Sequence, residues 1–312
     1  MIIISLVIGL FLLIQVFSWV SILTYSPKEI GRRSEYPKVS VLLAARNEEE
    51  LILRCLESMA QFNYPNDKLE ILIGDDASTD DTLKLVEAFI KDKPNFSVFS
   101  ISEIRGKGRG KANVLGQLAH KATGSFYFIT DVDVKLPKDW ILGLLQEFDS
   151  DVGIVSGTTM CDTGGFFATM QSLDWLHFMG YIKAFAHVGV GCTSVGNNMA
   201  VRAEAYWQTG GYEEIDFSIT EDYKLFQEVT SRKWKWRTIM SDYSLGRAWY
   251  ISNVKEMLHQ RKRWLIGAQD LPFNWKAMIS LYGLFLPALF ILFFLSPQLA
   301  MMVWLLKFII QS

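Results

Sequence analysis

The sequence predicts an α/β domain, Rossmann-like with a mostly parallel sheet, carrying transmembrane helices at its N- and C-terminal ends. Three observations support this. Between residues 39 and 130, short apolar runs alternate with stretches whose apolar residues recur at helical spacing. No charged residue occurs between Met1 and Lys28, and none between Ala277 and Leu306. Arg46, Asp75, Asp76, Asp131 and Asp133 all lie at or just past the ends of apolar runs. In open parallel sheets, ligands gather beyond those carboxyl ends.

Composition narrows the possibilities. With 31 basic and 33 acidic residues in 312, the net charge is -2, so no field favours nucleic acid as a partner. Half the residues are hydrophobic, and the mean hydropathy of +0.18 reflects the two apolar ends. Cys55, Cys161 and Cys192 are odd in number and lack CxxC spacing, so no disulfide framework or zinc site follows, and a reducing compartment fits. His120, His177, His187 and His259 are too dispersed for a histidine metal cluster.

Residues 2–23 are almost wholly apolar, and crossing a bilayer takes about 20 such residues. A signal peptide is the alternative, but a basic leading region and a small-residue cleavage site around residues 21–24 are both missing. Lys28, Arg32, Arg33 and Lys38 follow directly and mark the cytoplasmic side. At the other end Ser296-Pro297 interrupts the apolar run. The expected span covers residues 279–295, followed by a second hydrophobic helix short for a complete crossing. The resulting division is an N-terminal anchor over 1–27, a cytosolic domain over 28–250, an interfacial segment over 251–278 and a C-terminal membrane region over 279–312. An integral protein of the plasma membrane, or of the inner membrane in a bacterium, follows.

Within the cytosolic domain, residues 39–45 read as a strand covered on both faces. Arg46-Asn47-Glu48-Glu49 leads into a helix with Leu51, Cys55, Leu56 and Met59 on one side. A strand over 69–73 ends in Gly74-Asp75-Asp76-Ala77, and Ser78 with Asp81 predicts a capping-box start for the next helix. Residues 96–101 supply a third strand. The loop from Arg105 to Lys111 is basic and glycine-rich, but Arg105 and Ala112 stand where a Walker A loop needs Gly and Ser/Thr. It reads either as a solvated loop or, with Lys111 at a helix N-terminus, as a diphosphate contact.

The strand over 126–130 runs into Asp131-Val132-Asp133. This is a turn, or a hard all-oxygen site suited to Mg2+ or Mn2+ with substrate phosphates. An aromatic helix over 166–185 follows, then a strand from Gly196 to Arg202 returning to the sheet and a turn at Gly210-Gly211-Tyr212. Thr220-Glu221-Asp222 opens a helix; Thr220 as cap and two acids at the positive end would account for it structurally. Residues 254–268 form a basic, amphipathic helix containing Gln260-Arg261-Lys262-Arg263-Trp264, fit either for a membrane surface or for ligand contacts.

Asp75-Asp76-Ala77-Ser78, Asp131-Val132-Asp133, Thr220-Glu221-Asp222 and Gln260-Arg261-Lys262-Arg263-Trp264 occur in the order and approximate spacing of their counterparts in a known group. The chain resembles membrane-bound family 2 glycosyltransferases, which include cellulose and hyaluronan synthases and ceramide glucosyltransferases. The resemblance implies a GT-A fold, a nucleotide-sugar donor (usually UDP-linked), a divalent cation and inversion at the anomeric carbon. It implies that Asp76 hydrogen-bonds the uracil, with Ala44, Arg46 and Glu48 framing base and ribose and Asp75 within the same nucleotide-sugar site. It further implies Asp131 near ribose and sugar, Asp133 on the metal and Lys111 toward the diphosphate. Asp222 would be the general base beside Glu221, and Gln260, Arg263 and Trp264 would close over donor and acceptor. Few apolar spans favour transfer to a lipid or membrane-associated acceptor. The alternatives are a processive polysaccharide synthase working with partner membrane chains, and a non-catalytic scaffold of the same fold.

Overall fold

The computed structural model describes residues 2–31, 35–162 and 164–311; Arg32 and Arg33, expected on the cytoplasmic side, lie outside them. The chain divides into two compact units. One comprises residues 27–179 and 193–260, the other residues 1–26, 180–192 and 261–312.

The larger unit is built on strands β1 (Val39–Ala45), β2 (Leu69–Asp75), β3 (Phe96–Ser100), β4 (Phe126–Thr130), β5 (Val134–Lys135), β6 (Val152–Ser156), β7 (Thr158–Cys161), β8 (Asn198–Arg202), β9 (Lys235–Thr238) and β10 (Leu245–Ala248). Seven form one sheet in the order β3-β2-β1-β4-β8-β6-β9. It is parallel except that β8 runs antiparallel to β4 and β6. A small second sheet has the order β5-β10-β7.

The near-continuous apolar runs have a direct cause: both faces of the sheet are covered. Val39, Val41 and Leu43 of β1 join one core with Leu69, Ile71 and Ile73 of β2, Phe126 and Phe128 of β4, and Ile52, Cys55, Leu56 and Met59 of the helix Ile52–Met59. The alternate residues Leu42, Leu72, Tyr127 and Ile129 join the opposite core, with Val114, Leu115 and Leu118 of the helix Lys111–Ala119 and Leu225, Phe226 and Val229 of the helix Glu221–Ser231. Side chains alternate faces along a strand. Each large one buried adds about 1.5–3 kcal/mol.

Register carries the polar residues to one edge. Ala45 pairs with Asp75 and Leu43 with Thr130, so Arg46, Asp76 and Asp131 emerge side by side. Asn198 joins the two sheets: its Nδ2 donates to Thr158 O and Ser244 O, both at 2.8 Å, and its Oδ1 accepts the Trp140 indole N–H at 2.8 Å.

Several local expectations need correction. The Ser78–Asp81 capping box does not form: the helix is Thr82–Ile90, without a side-chain cap bond. Ser78 Oγ instead accepts the Asn47 N–H at 3.0 Å, tying two loops together. Thr220 makes no side-chain cap bond to Glu221–Ser231 either; its hydroxyl lies 3.2 Å from that of Ser218. The expected turn at Gly210-Gly211-Tyr212 opens into a short helix, Gly211–Glu214. The C-terminal apolar helix is Phe273–Leu295 and starts before residue 279, directly after Pro272.

In the smaller unit, Ile2–Leu23 and Phe273–Leu295 are long and apolar enough to cross a membrane, and Pro297–Ile310 is a shorter apolar helix. Ile8 and Phe11 pack with Phe285, Leu289, Leu292 and Val303, and Phe11 stacks on Phe285 at 4.0 Å.

Replacing Asn198 by Ala should leave two buried carbonyls and an indole N–H unpaired. Thermal unfolding of the purified chain should show a lower midpoint, with a loss of roughly 3 kcal/mol; an unchanged midpoint would contradict the linking role.

Candidate active site

The edge beyond β1, β2 and β4 gathers acidic side chains from distant parts of the chain around one ammonium. Lys111 Nζ, on the first turn of its helix, lies 2.5 Å from Asp131 Oδ1 and 2.9 Å from Glu221 Oε1. It also donates to the Gly196 carbonyl at 3.2 Å. Burial alone would lower the lysine pKa, but the charges of Asp131 and Glu221 outweigh it and hold the ammonium protonated.

Asp222 stands beside this pair. Its Oδ2 accepts the Gly196 N–H and its Oδ1 its neighbour Tyr223's N–H, each at 2.8 Å. Ser194 Oγ donates to the Asp222 carbonyl at 2.7 Å. The approach is too close for any residue but glycine at 196, where an added Cβ would come 2.8 Å from the Asp222 carboxylate. Burial, reinforced by the Glu221 charge, raises the Asp222 pKa to about 6.

Asp131 opens a turn in which Val134 N–H returns to the Asp131 carbonyl at 3.1 Å. This turn presents Asp133. Its Oδ1 is shielded from solvent and has no hydrogen-bond partner among the described residues. Burial first, then the charges of Asp131 and Glu48, raise Asp133 to about 7. Glu48 is raised to about 6 by burial and by Asp131 and Asp80. Hard carboxylate oxygens with an orphaned buried acceptor suit a divalent cation, which would recover the lost solvation. Among the described residues no three His, Cys, Asp or Glu side chains form a closed metal cage. Mg2+-type sites typically use one or two carboxylates and fill the remaining positions with water and substrate phosphates.

The β1 and β2 loops make the neighbouring wall. Arg46 Nη1 lies 3.4 Å from Asp76 Oδ2, and Asp76 N–H donates to Ala45 O at 2.8 Å, next to Ala44. Asp75 is turned inward, its Oδ2 accepting the Ser78 N–H at 3.2 Å. Asn47 and Ala77 take left-handed φ values of 54° and 53°, which non-glycine residues adopt at a cost. The basic loop is fastened down: Lys107 N–H donates to Glu213 O at 2.7 Å and Arg105 N–H to Asn113 Oδ1 at 2.9 Å.

The sequence-predicted residues Ala44, Arg46, Glu48, Asp75, Asp76, Lys111, Asp131, Asp133, Glu221 and Asp222 thus all lie within the larger unit, Ala44 and Asp75 at the ends of β1 and β2 and the others in loops following strands or at helix N-termini. Gln260, Arg263 and Trp264 lie on the helix Val254–Gly267. Gln260 belongs to the larger unit and Arg263 and Trp264 to the smaller. The Arg261 guanidinium covers the Trp264 ring at 4.3 Å. Gly196 and Arg54 escaped the sequence reading. Gly196 stood in a glycine-rich stretch without a motif. Arg54 looked like an ordinary polar residue of an amphipathic helix.

Comparison with known proteins gives this geometry a family. The profile of "Glycosyl transferase family 21" matches residues 1–312. The chain belongs to this glycosyltransferase family. Among curated relatives it is 25% identical over 283 residues to a beta-monoglucosyldiacylglycerol synthase of Synechocystis sp., covering 86% of this chain and 58% of that one. It is 23% identical over 252 residues to a poly-beta-1,6-N-acetyl-D-glucosamine synthase of Staphylococcus epidermidis, covering 77% and 57%. This family 21 chain therefore spans a little over half the length of these relatives. Among solved structures, a Pyrobaculum calidifontis mannosyltransferase in complex with GDP-Man and Mn2+ superposes with a TM-score of 0.65 at 20% identity, covering 91% of this chain and 80% of that one. The GT-A fold is shared.

The raised carboxyl pKa values have a consequence for stability. Asp133, Asp222 and Glu48 bind protons more tightly folded than unfolded. Their contribution is present below about pH 4 and is lost as the pH rises through about 6 to 7. With cations chelated, Asp133→Asn should raise the unfolding midpoint at pH 8, by on the order of 1–2 kcal/mol, and change little near pH 4. A midpoint lowered at pH 8 would contradict this.

Proposed function

We propose that the chain is an inverting glycosyltransferase that moves one sugar from a nucleotide-sugar to the hydroxyl of a membrane lipid, with Mg2+ or Mn2+ as cofactor. The observation that carries this reading is the cluster in which Lys111, Asp131, Glu221 and the adjoining Asp222 meet beside Asp133. Family membership and the mannosyltransferase solved with GDP-Man and Mn2+ support a nucleotide-sugar donor and a divalent cation. The name of the Synechocystis relative supports a lipid acceptor, of which diacylglycerol is the first to test. The two long apolar helices suit a chain held in a bilayer, and Lys28 and Lys38 after the first of them favour a cytosolic larger unit.

In this proposal Asp76 and Arg46 receive the nucleoside, with Ala44, Glu48 and Asp75 shaping the wall behind it. Asp133 holds the cation, with Asp131 beside it. When bound, the ion supplies charge neutralisation for the departing diphosphate. Lys111 adds a fixed positive charge on the same side, ready-made before the donor arrives. The acceptor oxygen attacks the anomeric carbon as the bond to the diphosphate breaks, and its proton passes to Asp222. Two backbone N–H groups orient that carboxylate while its second lone pairs stay available. A pKa near 6 makes it mostly ionised at neutral pH, yet a stronger base than an exposed aspartate. Asp131 and Glu221 border the carbon that becomes oxocarbenium-like. For Gln260, Arg263 and Trp264 the proposed donor and acceptor roles rest on the motif alone.

The test uses the purified full chain in detergent with a panel of UDP- and GDP-sugars and diacylglycerol or a lipid extract, with Mn2+ or with chelator. One sugar should be added per lipid, only with cation present. Oligosaccharide products would favour the synthase reading, after the staphylococcal relative. Asp222→Asn should lower turnover by about 10²–10⁴-fold while nucleotide binding is kept. Unchanged turnover in that variant would remove the base from Asp222.

A further inference from the structure

The Asp131-Val132-Asp133 turn is held by a residue that none of the sequence motifs contains. Arg54 projects from the helix Ile52–Met59, and its Nη1 donates to the Asp133 carbonyl at 2.9 Å. Its Nη2 pairs with Asp162 Oδ2 and donates to the Arg247 carbonyl at 3.2 Å. The guanidinium also lies 5.3 Å from the centre of the Trp249 ring. Trp249 N–H shares the same acceptor, reaching the Asp133 carbonyl at 2.8 Å. Asp162 N–H in turn donates to Ala248 O at 2.8 Å.

These partners come from three strand ends of the small sheet. Asp133 precedes β5, Asp162 follows β7, and Arg247 and Trp249 lie at the end of β10. β10 pairs with both neighbours, Ala248 opposite Val134 and Cys161. The three strands are short, and β5 has only two residues. Such a sheet has little hydrogen-bonding strength of its own to fix the turn at its edge. A guanidinium suits the task, since its planar fork serves several acceptors at once. At 20% side-chain exposure for Arg54 and 25% for Asp162, the pair is largely removed from bulk solvent. Its nitrogens serve two backbone carbonyls and a carboxylate within the fold.

We infer that Arg54, anchored by Asp162, is the positioning residue that fixes the Asp133 backbone and so aims the Asp133 carboxylate at the cation. The inference rests on the proposed cation role of Asp133, and it predicts that Arg54 acts without touching donor or acceptor. Groups that orient metal ligands from outside the coordination sphere typically change metal affinity or activity by about 10–100-fold when removed.

The experiment uses the full chain in detergent and Mn2+ alone, read by electron paramagnetic resonance without any nucleotide. Arg54→Ala should weaken Mn2+ binding by about tenfold. Amide exchange at Trp249, followed by mass spectrometry in the cation-free protein, should accelerate. Arg54→Lys keeps the charge but cannot reach all three acceptors, and should restore part of both losses. Asp162→Asn should shift both readouts in the same direction by less, and Asp151→Asn, an exposed surface carboxylate paired with Lys235, should shift neither. Wild-type Mn2+ affinity and Trp249 exchange in a folded Arg54→Ala protein would overturn the inference. Should that variant not fold, unchanged values in Arg54→Lys and Asp162→Asn would do the same. A wild-type chain that binds Mn2+ but transfers no sugar would sink the proposed reaction and leave these two readouts to decide on Arg54.

Discussion

Lys111 lies 2.5 Å from Asp131 and 2.9 Å from Glu221, and these three side chains come from parts of the chain separated by up to 110 residues. Without that ammonium, Asp131, Asp133, Glu48, Glu221 and Asp222 would repel one another across a partly buried edge. Two carboxylates at such spacing cannot both ionise cheaply in a medium that screens poorly. The pKa values of Asp133, Asp222 and Glu48 are raised chiefly because these groups are buried, and the charges of the neighbouring carboxylates add to this. Under the proposed cation role of Asp133, a bound ion would offset this crowding and keep the carboxylates ionised.

Much of this was legible in the sequence because strand ends are easy to find. Val39 to Ala45 and Phe126 to Thr130 stop abruptly at polar residues, and a parallel sheet must put those stops on one edge. The register itself, Ala45 opposite Asp75 and Leu43 opposite Thr130, comes from the structure. The antiparallel placement of β8 between β4 and β6 was not legible, since an apolar strand carries no mark of its direction.

The misses share a physical cause. Ser78 and Thr220 looked like caps because hydroxyls at those spacings often are. In the fold their hydroxyls turn to Asn47 N–H and Ser218, partners that the local pattern does not specify. Gly196 is needed because Asp222 approaches its backbone, a contact set by two segments 26 residues apart. Arg54 reaches Asp162 and Arg247, far along the chain. Helical spacing shows which face a residue occupies, and says nothing about an acceptor arriving from another sheet. The candidate ligands were therefore visible in the sequence, while Gly196 and Arg54, which meet Asp222 and the Asp133 backbone from other segments, emerge only in the fold.

In the proposed reaction the Asp133 carboxylate holds the cation that carries the nucleotide diphosphate. Electron–nuclear double resonance of Mn2+ in the full chain, prepared with 13C-labelled aspartate and a bound UDP-sugar, addresses it directly. The account predicts 13C coupling from aspartate and 31P coupling from the nucleotide at the same ion, with the aspartate coupling lost in Asp133→Asn. An ion with phosphorus coupling but no aspartate coupling in the wild-type chain would contradict it.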